Sequence, residues 1–297
     1  MPHSQLNRAA LAAAALILNA FVFGLSWWPL RALQGHGLHP LWATALTLGF
    51  ALLCLLLLRP LAWRGLFRHP MLWWLLLASG LTNVGFNWAV TVGDVVRVVL
   101  LFYLMPAWVV LLAWPLLGER PGPASVFRLA LALIGVVIVL KTPASPWPVP
   151  ESLADWLALM GGFCFAVTNI LLRKLNQTPE DGRMLAMFAG GTLMASAAAL
   201  LGMQWGLVSA LPMPQASWSA LAVATGLALL VGNLALQYGA AHLNAGTTSI
   251  IMLSEVVFAS VSSVLLGTGE LSLRTLLGGS LILLASLLAV VSSGRQR

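Results

Sequence analysis

Charge is the scarcest property of this sequence. Only 8% of the 297 residues are charged, and just eight are acidic; soluble domains carry about 25% charged residues. A soluble fold of this size has no means of hiding a chain that is 60% hydrophobic, so the surrounding solvent is largely lipid. Cysteine is nearly absent too. Cys54 and Cys164 both lie within apolar runs, where they read as small core hydrophobes rather than a disulfide or a metal site. The five histidines show no metal-ligand spacing. No glycine-rich phosphate loop is present, so no nucleotide drive is encoded. No nucleophile, base and orienting acid recur at a workable spacing, which argues against an enzyme. No cofactor is implied.

The net charge of +7 comes from basic residues scattered at the ends of apolar runs, not gathered on one face. That pattern is a membrane topology signal and excludes nucleic acid as a partner. The partners implied are the lipid bilayer and a small-molecule substrate.

Apolar runs of about 20 residues, the length needed to span a bilayer, dominate what is present. Ten are read, over 9–31, 38–58, 71–92, 95–117, 124–141, 153–173, 184–206, 216–238, 245–266 and 272–293. The first is too long for a signal peptide core and has a counterpart in the second half, so it is read as a mature helix. The proline-rich stretch from Lys141 to Glu151 cannot continue a helix and divides the chain nearly in two. With a cytoplasmic N-terminus, eleven of the 15 basic residues fall on the cytoplasmic side; only Arg31, Arg97, Lys141 and Arg274 fall on the other. Both termini are therefore expected to be cytoplasmic, in an inner membrane.

The halves resemble each other in order. Residues 20–33 align with 162–175, placing Phe21, Phe23, Leu30, Arg31 and Leu33 on Phe163, Phe165, Leu172, Arg173 and Leu175. Asn83 and Asn87 fall on Asn233 and Gln237. Leu-Leu-Gly-Glu ending at Glu119 falls on Leu-Gly-Thr-Gly-Glu ending at Glu270. Five spans per half is an odd number, so the second half must insert upside down. The expected fold is an all-α membrane protein of ten transmembrane helices. They form two inverted five-helix repeats, residues 1–145 and 146–297, with a substrate site near the midplane.

This pattern resembles the ten-span EamA-type branch of the drug/metabolite transporter superfamily. The resemblance covers nearly the whole chain. It is carried most specifically by Tyr103-Leu-Met-Pro-Ala-Trp followed by Leu-Leu-Gly-Glu119, and by Met252-Leu-Ser-Glu255 followed by Gly269-Glu270. Halves of such proteins often carry a Glu-Pro pair; here it is split into Met105-Pro106 and Glu255-Val256. The resemblance implies export or exchange of amino acids, nucleotide-related metabolites or drugs. The Tyr-Leu-x-Pro element is similar to that of aromatic amino acid exporters.

Several residues are candidates for the work. Glu255 is the only acid deep in an expected span, where a carboxylate costs roughly 2.5–3.5 kcal/mol or more to insert. It is read either as a proton carrier or as a hydrogen-bonded packing residue. The pairs Asn83/Asn87 and Asn233/Gln237 each lie four apart on one helix face, and either line a wet cavity or join helices. Phe23 and Trp27, matched by Phe165 and Asn169, offer stacking and amide chemistry to a substrate; the alternative is packing. Tyr103 and Pro106 mark a span expected to kink, because proline withholds a backbone donor. Asp94 and Arg97 read either as an external gate or, more readily, as a solvated turn with a minor ion pair. Asp155 reads as a span-boundary residue.

The mechanism expected is alternating access, with two five-helix bundles rocking about a central cavity. Spans one, three, four, six, eight and nine would line it. An uncoupled facilitator of the same fold and a non-transporting membrane subunit are the alternatives. A monomer would suffice, and a dimer is compatible.

Overall fold

The computed structural model describes residues 2–117, 122–140, 149–175, 177–243, 251–252, 254–267 and 272–293, and no strand occurs among them. The helices are α1 (Pro2–Leu25), α2 (Trp27–Gly35), α3 (Pro40–Leu58), α4 (Arg64–Arg68), α5 (Met71–Val92), α6 (Val95–Phe102) and α7 (Met105–Leu117). They continue as α8 (Pro123–Leu140), α9 (Leu153–Lys174), α10 (Glu180–Gln204), α11 (Ala216–His242), α12 (Ser254–Leu265) and α13 (Leu273–Ser293).

Among the described residues, six helical segments are long and apolar enough to cross a bilayer: Ala10–Gly35, Pro40–Leu58, Met71–Val92, Leu153–Lys174, Glu180–Gln204 and Ala216–Gly239. Val95–Val109, Leu129–Ile138, Ser254–Leu265 and Leu273–Ala285 are apolar but shorter. The linker residues 141–148, residues 245–250 and 253 of the expected ninth span, and Glu119 and Glu270 lie outside the described residues.

Capping chemistry sets several helix starts. Asp94 Oδ1 accepts the Arg97 N–H at 2.8 Å, and Ser152 Oγ accepts the Asp155 N–H at 3.1 Å. Each supplies an acceptor to an N–H that the helix cannot satisfy. His39 Nδ1 takes the Leu41 N–H at 3.3 Å, ahead of Pro40 in the first turn of α3. The expected seventh span starts earlier than its apolar run, at Glu180, because Glu180 and Asp181 suit the positive end of a helix.

Two expected spans are jointed. Between α1 and α2, Ser26 N–H bonds to Phe23 O at 3.2 Å, an i−3 bond. Pro29 has no N–H to offer Leu25 O. Between α6 and α7, Leu104 N–H bonds to Leu101 O at 3.2 Å. Pro106 likewise has no N–H for Phe102 O, and that carbonyl faces Gly162 of α9, where an added Cβ would sit 2.6 Å from it. The kink expected at Pro106 is thus present in the backbone.

The packing units are not the two sequence halves. One trio joins α5, α9 and the α6–α7 pair; a second joins α1 to α11 and α12. Each contains helices from both halves. The arrangement respects an exchange of halves: α5 against α9 matches α11 against α1, and α10 against α5 matches α3 against α11. α3 with α10 and α8 with α13 flank the trios. The matched segments run in opposite directions. Arg31, at the end of the first, reaches Val90 and Gly93; Asp155, at the start of α9, reaches Arg97 at the same end of the bundle. Glycines let backbones meet at the crossings. At Gly190 of α10 an added Cβ would lie 2.0 Å from Leu76 O of α5, and at Gly80 of α5 one would lie 2.5 Å from Gly190 O.

Candidate functional site

The site is built where the trios meet. Gly24 of α1 lets α12 approach so closely that an added Cβ would stand 2.8 Å from both Glu255 O and Phe258 Cβ. This seats Glu255, in the first turn of α12, against the interior. Across from it, the joint between α6 and α7 presents the buried Tyr103, whose hydroxyl lies 3.4 Å from Glu255 Oε2 and 3.5 Å from Met252 O. The contact joins the two trios.

Around Glu255 is a crevice of about 190 Å³ of empty space, none of it wide enough for a water molecule. Phe23, Trp27, Phe86, Val95, Val99 and Ala259 are among its walls. Trp27 is 2% exposed and donates from Nε1 to Ser262 Oγ of α12 at 3.0 Å. Behind Phe86, Phe102 sits 4.7 Å away between ring centroids, and Phe165 lies 5.3 Å from Phe102.

A larger cavity, about 600 Å³, opens at one end of the bundle. Arg31, Gln34, Thr91, Asp94, Arg97 and Thr275 contribute to its polar lining. These are the helix ends that the topology reading places together on one face. The wet cavity is thus a vestibule at one end, whereas the expected central cavity is, among the described residues, a dry crevice in this conformation.

The structure gathers Phe23, Trp27 and Glu255 around the crevice, with Tyr103 against Glu255 and Phe165 two ring layers behind Phe86. The amide candidates lie elsewhere. Asn83 Nδ2 donates to Ser79 O of its own helix at 2.8 Å and faces Gly191 of α10. Asn87 is buried in α5, where its backbone carbonyl accepts the Thr91 hydroxyl at 2.5 Å. Gln237 Nε2 donates to Asn233 Oδ1 at 3.1 Å. Asn169 Nδ2 lies 2.9 Å from Phe165 O and 3.6 Å from Met105 Sδ, holding α9 to α7. Pro106 belongs to α7, but its side chain lies outside the described set.

Two arginine contacts exceed the sequence reading. Asp94 does cap α6, yet the guanidinium of Arg97 makes a two-pronged bond to Asp155 of α9, with Nε–Oδ1 and Nη2–Oδ2 both 2.8 Å. Asp155 is 1% exposed and also accepts the Glu151 N–H at 3.2 Å, so this residue at the boundary of α9 is also a buried anchor. Arg31 donates from Nε to Val90 O at 2.9 Å and from Nη2 to Gly93 O, and lies 5.3 Å over the Trp27 ring. The repeat alignment marked Arg31 only as a matched position.

Comparison with known proteins fits this architecture. No curated protein matches the chain. A solved structure titled only "Crystal structure of protein" is similar in fold, with a TM-score of 0.57 and 20% sequence identity, over 95% of this chain and 97% of that one. The EamA-like transporter family matches twice, over residues 10–141 and 152–291, once in each half. Membership points to a membrane transporter rather than an enzyme, working in lipid on a small molecule. Matched across both of its repeats, this chain belongs to the EamA-like transporter family.

Proposed function

We propose that the protein is a secondary transporter that exports small metabolites such as amino acids or drug-like compounds by alternating access, with Glu255 as its proton carrier. In this reading it has ten spans in two inverted five-helix repeats, 1–145 and 146–297, and sits in the inner membrane with both termini cytoplasmic. The moving parts are the two interleaved trios. Phe23, Trp27, Tyr103 and Phe165 supply the aromatic surface of the site. Asn83, Asn87, Asn169, Asn233 and Gln237 join it only when the trios part. Pro106 keeps the α6–α7 joint open to that motion.

One observation carries the proposal. Glu255, an acid deep in an expected span, is turned inward at the meeting of the trios, where it borders the crevice and meets the Tyr103 hydroxyl. An intramembrane carboxyl facing the interior and contacted by a tyrosine across a movable interface suits proton-linked exchange. A crevice too narrow for water opposes a standing pore.

The test is flux in proteoliposomes with a panel of amino acids and cationic drugs, with and without a pH gradient. Gradient-driven flux should fall at least about tenfold in Glu255→Gln, while gradient-independent exchange survives. Flux indifferent to both the gradient and the substitution would move the assignment to an uncoupled facilitator. No flux of any solute through folded protein would favour a non-transporting subunit.

A further inference from the structure

Between the vestibule and the crevice, the described helix pairs bring the trios together along two lines of contact: α6 with α12, and α2 with α5. The first is the Tyr103–Glu255 contact. The second has Arg31 at its centre, and nothing in the proposed transport role assigns it a task.

α2 is built as a lever. Its joint to α1 interrupts the regular ladder: Ser26 N–H turns back to Phe23 O, Pro29 leaves Leu25 O without a donor, and the i−4 pattern resumes with Leu30 N–H to Ser26 O at 3.4 Å. Below the joint, α1 is pinned to α12 by the close approach at Gly24. Above it, α2 is held to α5 by the two Arg31 bonds to Val90 O and Gly93 O. Those carbonyls belong to the last turn and cap of α5, where backbone acceptors lack intrahelical partners and the helix dipole is negative. A guanidinium fits this end because it is a permanent cation with several donors in fixed geometry. Trp27, one turn below Arg31, forms part of the crevice wall.

We infer that Arg31 is the latch of the vestibule-side gate: its bonds to the end of α5 hold α2 shut across the trio interface, with Trp27 as the plug. Release of the latch lets α2 swing on the Ser26–Pro29 joint and connects the vestibule to Glu255. This rests on the alternating-access reading, but its test does not depend on identifying a solute.

The test is cysteine labelling with a membrane-impermeant thiol reagent in liposomes, on the full chain with Cys54→Ala and Cys164→Ala. Val99→Cys reports the crevice and Gln34→Cys the vestibule above the latch. Arg31→Gln should raise the Val99→Cys rate about tenfold from the vestibule face and leave the Gln34→Cys rate unchanged. Arg31→Lys, able to reach one carbonyl, should give an intermediate rate. Pro29→Ala, which restores a donor for Leu25 O and stiffens the joint, should lower it. The inference is overturned if the Val99→Cys rate does not respond to Arg31→Gln, or if both positions speed up together. Should Arg31→Gln not fold, unchanged rates in Arg31→Lys and Pro29→Ala overturn it equally. A crevice that opens in Arg31→Gln while no solute is carried would sink the transport role and leave the latch standing.

Discussion

Asp155 shows how a carboxylate can be kept at the end of an apolar helix. Its oxygens accept two bonds from Arg97 and one from the Glu151 N–H, and its own N–H is capped by Ser152. The Arg97 side chain is 21% exposed and the Asp155 side chain 2%, so the loss of one partner falls chiefly on the buried side. Arg97→Met should destabilise the protein by roughly 3 kcal/mol, because it leaves the buried Asp155 carboxylate without its two-pronged counter-charge, and Asp155→Leu should cost less. The double variant Arg97→Met with Asp155→Leu should recover most of that loss. A thermal-melt cycle over wild type, Arg97→Met, Asp155→Leu and the double variant checks this; a double-variant loss equal to the sum of the two single losses would show that the pair is not coupled. His39 offers a pH test outside the spans. Its ring meets the Trp88 ring edgewise at 5.1 Å, its Nδ1 caps α3, and burial holds its pKa below the usual histidine value. The neutral ring is therefore the folded form. Its contribution is fully present above the unfolded histidine pKa, near 6.5, and is lost as pH falls through the lower folded value. Melts from pH 8 to pH 5 should steepen in their decline below about pH 6.5, and His39→Asn, which can still cap, should flatten that decline.

At the scale of the element, much of the fold was legible and the exceptions have physical causes. The spans read at 71–92 and 153–173 match α5 and α9 almost to the residue, because turn residues and caps stand next to their apolar runs. The break at Ser26 was not legible, since Trp27 and Trp28 continue the apolar run straight through it. The short α4, between Arg59 and His69, was missed because five residues carry too little periodicity to read. The Arg97–Asp155 bond joins residues 58 positions apart, so only the folded chain could reveal it. The amides were legible as a symmetric set, but sequence could not say which neighbour each would face. The structure ranks the glycines by how closely neighbouring helices approach them. Gly190→Ala would drive a methyl into the Leu76 carbonyl, with no flexible side chain to yield. Such overpacking costs typically about 1–3 kcal/mol and here should lie at or above the upper end. Gly35→Ala, at a position with nothing within 4 Å, should be nearly neutral. If both variants melt alike, the α5–α10 crossing is not as tight as described.

For the whole molecule, the decisive property is that matched segments run opposite ways. Arg31 closes the first and Arg173 occupies the same place in the second, yet it is Asp155, at the other end of α9, that shares the Arg31 face. A helix rises about 1.5 Å per residue, so the 18 residues from Asp155 to Arg173 carry the chain about 27 Å, close to the thickness of a hydrocarbon core. The two arginines must then lie on opposite faces. Gln34 and Glu151 should accordingly react, as single cysteines, with an impermeant reagent applied to the vestibule face of intact cells. Trp63 and Glu180 should react only after the other face is opened. The loop around α4 and the start of α10 are joined where Gly65 and Gly182 approach, so these two reporters must agree. Labelling of Gln34 and Glu180 from the same face would contradict the antiparallel alignment. The two halves could not then exchange places about the centre, and a vestibule at one end would have no counterpart for an alternating mechanism to open.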